Sequence, residues 1–210
     1  MLINKTVIKN KITLVSIGDS FSLAMTPYNV VGTSYSDYLK EMYEEENKLE
    51  SYNNDFAINN LRVYELNNYL EKNVIGSISK IPIKQILAKA EIITIAIGVD
   101  EMSSKSLEQS IDEDIIDKYL KEMEILLKSI RDFYDNNIIL IGLYPAKKFD
   151  INDVIIVNKG LNKLCGKYKV NFIDILTDSL NKDYYFSNNS YYMNYKVHKK
   201  IAGLIYKIYK

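Results

Sequence analysis

ITLVSIGDSF, residues 12–21, is the stretch on which the fold is decided. From Ile12 to Ile17 it is a short, mostly β-branched apolar run, the pattern of a buried strand. Gly18-Asp19-Ser20 then ends the run with residues that favour tight turns. Similar apolar runs recur at Glu91–Ile97, Asn137–Leu143 and Val170–Ile175, with a weaker one around Asp55–Ile58. Between them lie helical patterns. The clearest spans Ile111 to Tyr134, where Ile111, Ile115, Tyr119, Met123, Leu126, Ile130 and Phe133 recur at three- and four-residue steps. Another covers about Asp153 to Tyr168. The last places Val197, Ile201, Leu204, Ile205 and Ile208 on one face. Continuous apolar strands alternating with amphipathic helices predict an α/β protein of three layers, α/β/α. Right-handed crossovers make a doubly wound parallel sheet of flavodoxin-like order the simplest topology. Ligands of such sheets bind beyond the carboxyl ends of the strands. The segments of interest are therefore the turns after Ile17, Ile58, Ile97 and Leu143, and the loop before the last helix.

The chain has 210 residues, with no Ser- or Gly-rich linker, no internal repeat and only 3 Pro. One domain over 1–210 is expected. Lys+Arg 27 balances Asp+Glu 27, so no net field draws in nucleic acid or an anionic membrane. The densest basic run, Lys196, Lys199 and Lys200, reads as a solvated helix face. No stretch approaches the roughly 20 apolar residues of a membrane span. The N-terminal MLINKTVIKNK lacks the apolar core of a signal peptide. Cys165 is the single cysteine and forms no internal disulfide, which fits a reducing, cytoplasmic setting. With His198 the single histidine, no finger-type metal site can be assembled, and no metal or cofactor is expected. No G-x-G-x-x-G or Walker motif supports a nucleotide or flavin. The abundance of Asn, Ile, Lys and Tyr reads as codon bias of an AT-rich bacterial genome.

Ser20 sits where a strand gives way to a turn, near the N-terminus of an expected helix whose N–H groups favour developing negative charge. A serine there also serves as a plain helix cap. The surrounding blocks sharpen the choice. SYSDYLKE at Ser34–Glu41, NDFAINNLR at Asn54–Arg62, AEIITIAIGVDE at Ala90–Glu101, NIILIGLYP, and YYFSNNSYYMNYKVHKKIA at Tyr184–Ala202 follow in order. Together with the GDS turn, this series resembles the SGNH (GDSL-type) hydrolases, serine esterases, lipases and acyltransferases. The resemblance implies the SGNH fold, with Ser20 at the nucleophile position.

The same resemblance shows departures. Asn60 stands where the family has a glycine whose N–H donates to the oxyanion; Asn keeps that N–H and tolerates a left-handed backbone. Asp100 stands where the family has an oxyanion Asn, and an ionised carboxylate donates nothing. Losing such a donor costs roughly 2.7–4 kcal/mol in the transition state. A charge about 4 Å from the oxyanion adds on the order of 4 kcal/mol of repulsion at an effective dielectric of 20. The family's Asp-x-x-His, which would supply base and orienting acid, is replaced by Asn189 and Tyr192. His198 lies six positions further on, a displacement on the order of 9 Å at helical rise, and reads as a helix residue partly packed against the sheet. Cys165, in mid-helix, lacks a partner to form thiolate.

Two functions follow. One is a catalytically degenerate SGNH protein that keeps fold and pocket for a small ligand or a protein partner. The alternative is a weak or rewired serine ester hydrolase acting through Ser20, with Glu101, Asp100 or Tyr192 as unconventional base. A small acyl ester or a carbohydrate ester is the ligand class in either case. The tyrosines at 184, 185, 191, 192 and 195 either line an aromatic pocket or partner surface or, as favoured here, pack their loop against the sheet edge.

Overall fold

A computed structural model of the chain describes residues 11–108, 111–146, 149–187 and 190–209. The strands are β1 (Ile12–Gly18), β2 (Leu49–Ala57), β3 (Ile92–Ala96), β4 (Asn137–Ile141) and β5 (Asn171–Ile173). All pair in parallel, in the order β2-β1-β3-β4-β5. This is the doubly wound order expected from the alternation of runs and helices.

The helices are α1 (Tyr35–Glu45), α2 (Val63–Glu71), α3 (Ile83–Ala88), α4 (Val99–Glu108), α5 (Glu113–Arg131), α6 (Ile151–Lys167), α7 (Leu176–Ser179) and α8 (Tyr195–Tyr209), with a 3-10 turn at Lys182–Tyr184. Helix α1 packs on α8, while α5 packs on α2 and α6. Right-handed crossovers put these two groups on opposite faces of the sheet.

The central strand β3 is buried along its whole length, which is why its run reads as unbroken apolar sequence. Ile93 and Ile95 are fully buried, and each contributes about 1.5–3 kcal/mol of transfer free energy. Edge strand β2 differs. The weak run at Asp55–Ile58 is only its carboxyl end, and the strand begins at Leu49. Its first half, LESYNN, is exposed or half-buried, so no apolar pattern announced it. Helix α5 is shorter than the Ile111–Tyr134 pattern. The Asp112 side chain accepts the Ile115 N–H at 3.0 Å, caps the helix and so sets its start at Glu113, two residues after Ile111.

Ser20 is not a helix cap. Residues 20–24 form turns, and the first helix begins only at Tyr35. That helix is capped by Ser34, whose hydroxyl accepts the Asp37 N–H at 3.2 Å while Asp37 accepts the Ser34 N–H at 2.8 Å. The Ser20 hydroxyl is left for other partners.

Candidate active site

The turn after β1 is held from beneath by Asp19. Its carboxyl group is fully buried, and its oxygens accept the N–H groups of Gly98 at 2.8 Å, Phe21 at 3.0 Å and Asp100 at 3.4 Å. Gly98 and Asp100 lie at the start of α4, so Asp19 caps that helix from a neighbouring strand. Burial pushes the Asp19 carboxyl up to about 8, and the nearby Asp100 charge adds to the rise against the three N–H bonds.

The close approach of β1 and β3 explains the glycine before Asp19. Gly18 has φ +142°, and a Cβ there would lie 1.9 Å from the Ala96 carbonyl oxygen. Gly98, at φ +115°, faces the Tyr119 hydroxyl, which donates to the Ile97 carbonyl at 2.9 Å. A side chain at Gly18 would force β1 and β3 apart, and one at Gly98 would collide with the Tyr119 ring of α5, both at a backbone φ that L-residues rarely adopt.

Ser20 makes three polar contacts through its hydroxyl and its N–H. Its hydroxyl donates to Asn59 Oδ1 at 2.6 Å and accepts the Asn60 N–H at 3.0 Å. Its own N–H donates to Asp100 Oδ2 at 3.1 Å. Asn60 holds a left-handed backbone, φ +58°, as anticipated for the residue at this position. The structure thus brings Ser20, Asn60 and Asp100 together. Tyr192 lines the same small cavity, with Met25, Tyr144 and His198. That cavity measures about 20 Å3, room for about one water. Asn189 lies outside the described residues.

Two expectations need correction. Glu101 does not face Ser20. Its carboxylate accepts the Val63 N–H at 3.2 Å, at the start of α2, and pairs with Lys105 at 3.6 Å. It is a capping group between two helices, not a base. His198 is more deeply placed than a helix residue partly packed on the sheet: it is 2% exposed. Its ring stacks on Phe21 at 4.7 Å and lies near-parallel to Tyr35 at 6.3 Å. Burial lowers its pKa to about 4, so the ring is neutral at pH 7. Cys165 is buried, as expected of a mid-helix thiol, and burial raises its pKa to about 12.

Sequence reasoning missed Asn59 and the role of Asp19. Asn59 had one available signal: it precedes the residue that must adopt positive φ, so its side chain belongs to the same turn as the Asn60 N–H. Asp19 was visible within the GDS tripeptide but reads there as an ordinary turn residue. The tyrosines divide between the two readings. Tyr185 is buried and donates to the Ser179 carbonyl at 2.9 Å, whereas Tyr191 and Tyr195 are about half exposed. Among the described residues no cluster of His, Cys, Asp and Glu could hold a metal ion, and no helix is long and apolar enough to cross a membrane.

A parallel 2-1-3-4-5 sheet with a GDS turn at the carboxyl end of its first strand defines a flavodoxin-like α/β/α fold of the SGNH hydrolase class. The model of the GDSL-like lipase/acylhydrolase family matches residues 14–199, and the chain belongs to that family. Among solved structures, it is similar to a lipase from a goat rumen metagenome, at 18% identity, TM-score 0.73 and coverage of 94% of this chain and 97% of that one. An acetylxylan esterase from Geobacillus stearothermophilus shares 16% identity, with TM-score 0.68 and 95% and 94% coverage. A lipase/acylhydrolase from Enterococcus faecalis shares 14% identity, with TM-score 0.67 and 94% coverage of both chains. No curated protein matches the chain.

Proposed function

We propose that this chain is a GDSL-family protein, one domain over its length, that has lost serine ester hydrolysis and uses the fold for binding. The observation that carries this reading is the partner of the Ser20 hydroxyl: its proton is directed at the Asn59 amide oxygen, 2.6 Å away. An amide oxygen accepts a hydrogen bond but does not take up a proton near neutral pH, so it cannot generate the alkoxide a nucleophilic serine needs. The contacts of Asp100 add to this. The Ser20 N–H, a natural oxyanion donor, is already donated to a carboxylate at 3.1 Å. An oxyanion arriving there would lose that donor and meet a like charge. With Asn189 and Tyr192 at the two triad positions, the imidazole of an Asp-x-x-His is missing. His198 lines the cavity but is held neutral in an aromatic stack.

A rewired hydrolase is the second reading. It is favoured by Tyr192, whose side chain lines the same cavity as Ser20 and would have to act as base. Its substrate would be a small acyl ester or a carbohydrate ester, the class on which the similar acetylxylan esterase acts by its name.

The deciding experiment is hydrolysis of p-nitrophenyl acetate and butyrate by wild type and Ser20→Ala, from about pH 5 to 9. Matching rates at background level are expected. Turnover that disappears with Ser20→Ala establishes the rewired hydrolase instead.

A further inference from the structure

The cavity at Ser20 is too small for an organic ligand, but a roomier cleft adjoins it. Tyr192 lines both. The second cleft measures about 320 Å3 and opens between the turn after β1 and the loop before α8, a volume in the range of small-molecule sites. Its walls are Tyr28, Phe186, Tyr191 and Tyr192, and Ser187 and Ser190 add hydroxyls. No charged side chain is among the described residues that line it.

Three of these rings lie open to solvent: Tyr28 is 78% exposed, Tyr191 49% and Phe186 41%. The rings of Tyr28 and Phe186 meet edge to face, 6.5 Å apart at 90°, and form a corner with two differently oriented aromatic surfaces. The loop that carries Phe186 and Tyr191 is anchored at its base. The Asn194 side chain donates to the carbonyls of Asp183 at 2.8 Å and Tyr185 at 2.7 Å, and Met193 bridges to Tyr185. The rings are therefore presented from a fixed hairpin base, which lowers the ordering cost of binding.

We propose that this cleft binds a neutral sugar ring. A sugar ring has an apolar C–H face that covers an aromatic face, and hydroxyls around its edge that need hydrogen-bonding partners. Open rings at an angle, rimmed by serine and tyrosine hydroxyls, match that division of surface. A charged ligand would be desolvated here without a counter-charge, and an alkyl chain would cover the rings but leave the displaced hydroxyls without hydrogen-bond partners. This assignment rests on the binding reading above and supplies the chemistry of its ligand.

The test is calorimetric titration with xylotetraose, maltotetraose and N-acetylchitotetraose as sugar probes and 1-octanol as the uncharged apolar one. At least one tetrasaccharide is expected to bind. Tyr28→Ala and Tyr191→Ala should each weaken it about tenfold. Tyr64→Ala, an exposed tyrosine on α2 away from the cleft, should leave it within about twofold. Unchanged unfolding midpoints check that the variants fold. No tetrasaccharide binding, binding indifferent to Tyr28 and Tyr191, or 1-octanol binding in place of sugar would each overturn the assignment. The esterase assay is independent: turnover through Ser20 sinks the loss of catalysis, whereas failed sugar binding without turnover removes only the sugar.

Discussion

The first and last loops of the site are built in opposite ways. The turn after β1 is wired into the sheet: Asp19 is fully buried, Gly18 presses against the Ala96 carbonyl, and the Asp19 N–H donates to that same oxygen at 2.9 Å. The loop before α8 is anchored at its base by Asn194, and the rings of Phe186 and Tyr191 that it carries lie open to solvent. A residue in the first loop cannot change without disturbing the core. A residue at the tip of the second can change at little cost to the fold.

The sharpest way to break the comparison is Gly18→Ala. The added Cβ would fall 1.9 Å from the Ala96 oxygen at φ +142°, so a loss of at least about 4 kcal/mol is expected in urea unfolding. A loss below about 1 kcal/mol would mean that the first loop is no more constrained than the last. Rebuilding the second loop should instead be tolerated. Asn189→Asp and Tyr192→His, combined with Asp100→Asn, are expected to leave the protein folded. They should raise Ser20-dependent hydrolysis of p-nitrophenyl acetate about 10²–10⁴-fold over wild type. A folded triple variant with no such gain would show that more than these side chains stands in the way.

Protonation gives a third test, because one buried group lies in each part of the site. His198, on α8, takes a proton in the fold only near pH 4, and in the unfolded chain near 6.5. Its contribution is therefore full above about pH 6.5 and is lost as pH falls toward 4. Asp19 has the opposite sign. Its carboxyl stays protonated up to about pH 8 in the fold, so its contribution is full below about pH 4 and is lost as pH rises toward 8. Between about pH 4 and 6.5 the two oppose each other, each at about 1.4 kcal/mol per pH unit. Removing one exposes the other. His198→Phe should lose stability steadily as pH rises, and Asp19→Asn should lose it as pH falls below about 6.5. Urea midpoints at about pH 4.5, 6 and 7.5 read both slopes. Identical profiles in wild type and variants would contradict the placement of these groups.

The smallest effect is expected at the anchor of the second loop. Asn194→Ala removes two side-chain bonds to carbonyls and the Oδ1 that accepts the Lys196 N–H at 2.9 Å. A loss of about 1–2 kcal/mol in thermal unfolding is expected. A cost rivalling that of Gly18→Ala would erase the difference between the loops.

Buried strands and long amphipathic helices were legible because burial on both faces leaves a continuous apolar run, and burial on one leaves a stripe. Strand β2 was half hidden, since an edge strand open to solvent has no reason to look apolar. In the site, the order of blocks singled out Ser20, Asn60, Asp100 and Tyr192, and these four lie together, Asn60 through its bond to Ser20 and the others around one cavity. It did not single out Asn59 or the burial of Asp19. Both depend on contacts across about 40 and 80 residues of chain, and local turn chemistry says nothing about which distant N–H or hydroxyl a side chain will meet. Glu101 misled for the same reason: its partner, the Val63 N–H, belongs to a helix start that no residue near Glu101 announces.

The single-water cavity at Ser20 turns access into a question of populations. Any ester carbonyl that reaches the hydroxyl must first displace the side chains that close the space, Met25 and Tyr192 among them. If the opened form is populated one time in about a hundred, apparent affinity at Ser20 falls about a hundredfold whatever the quality of the contacts. The open aromatic cleft next door carries no such tax.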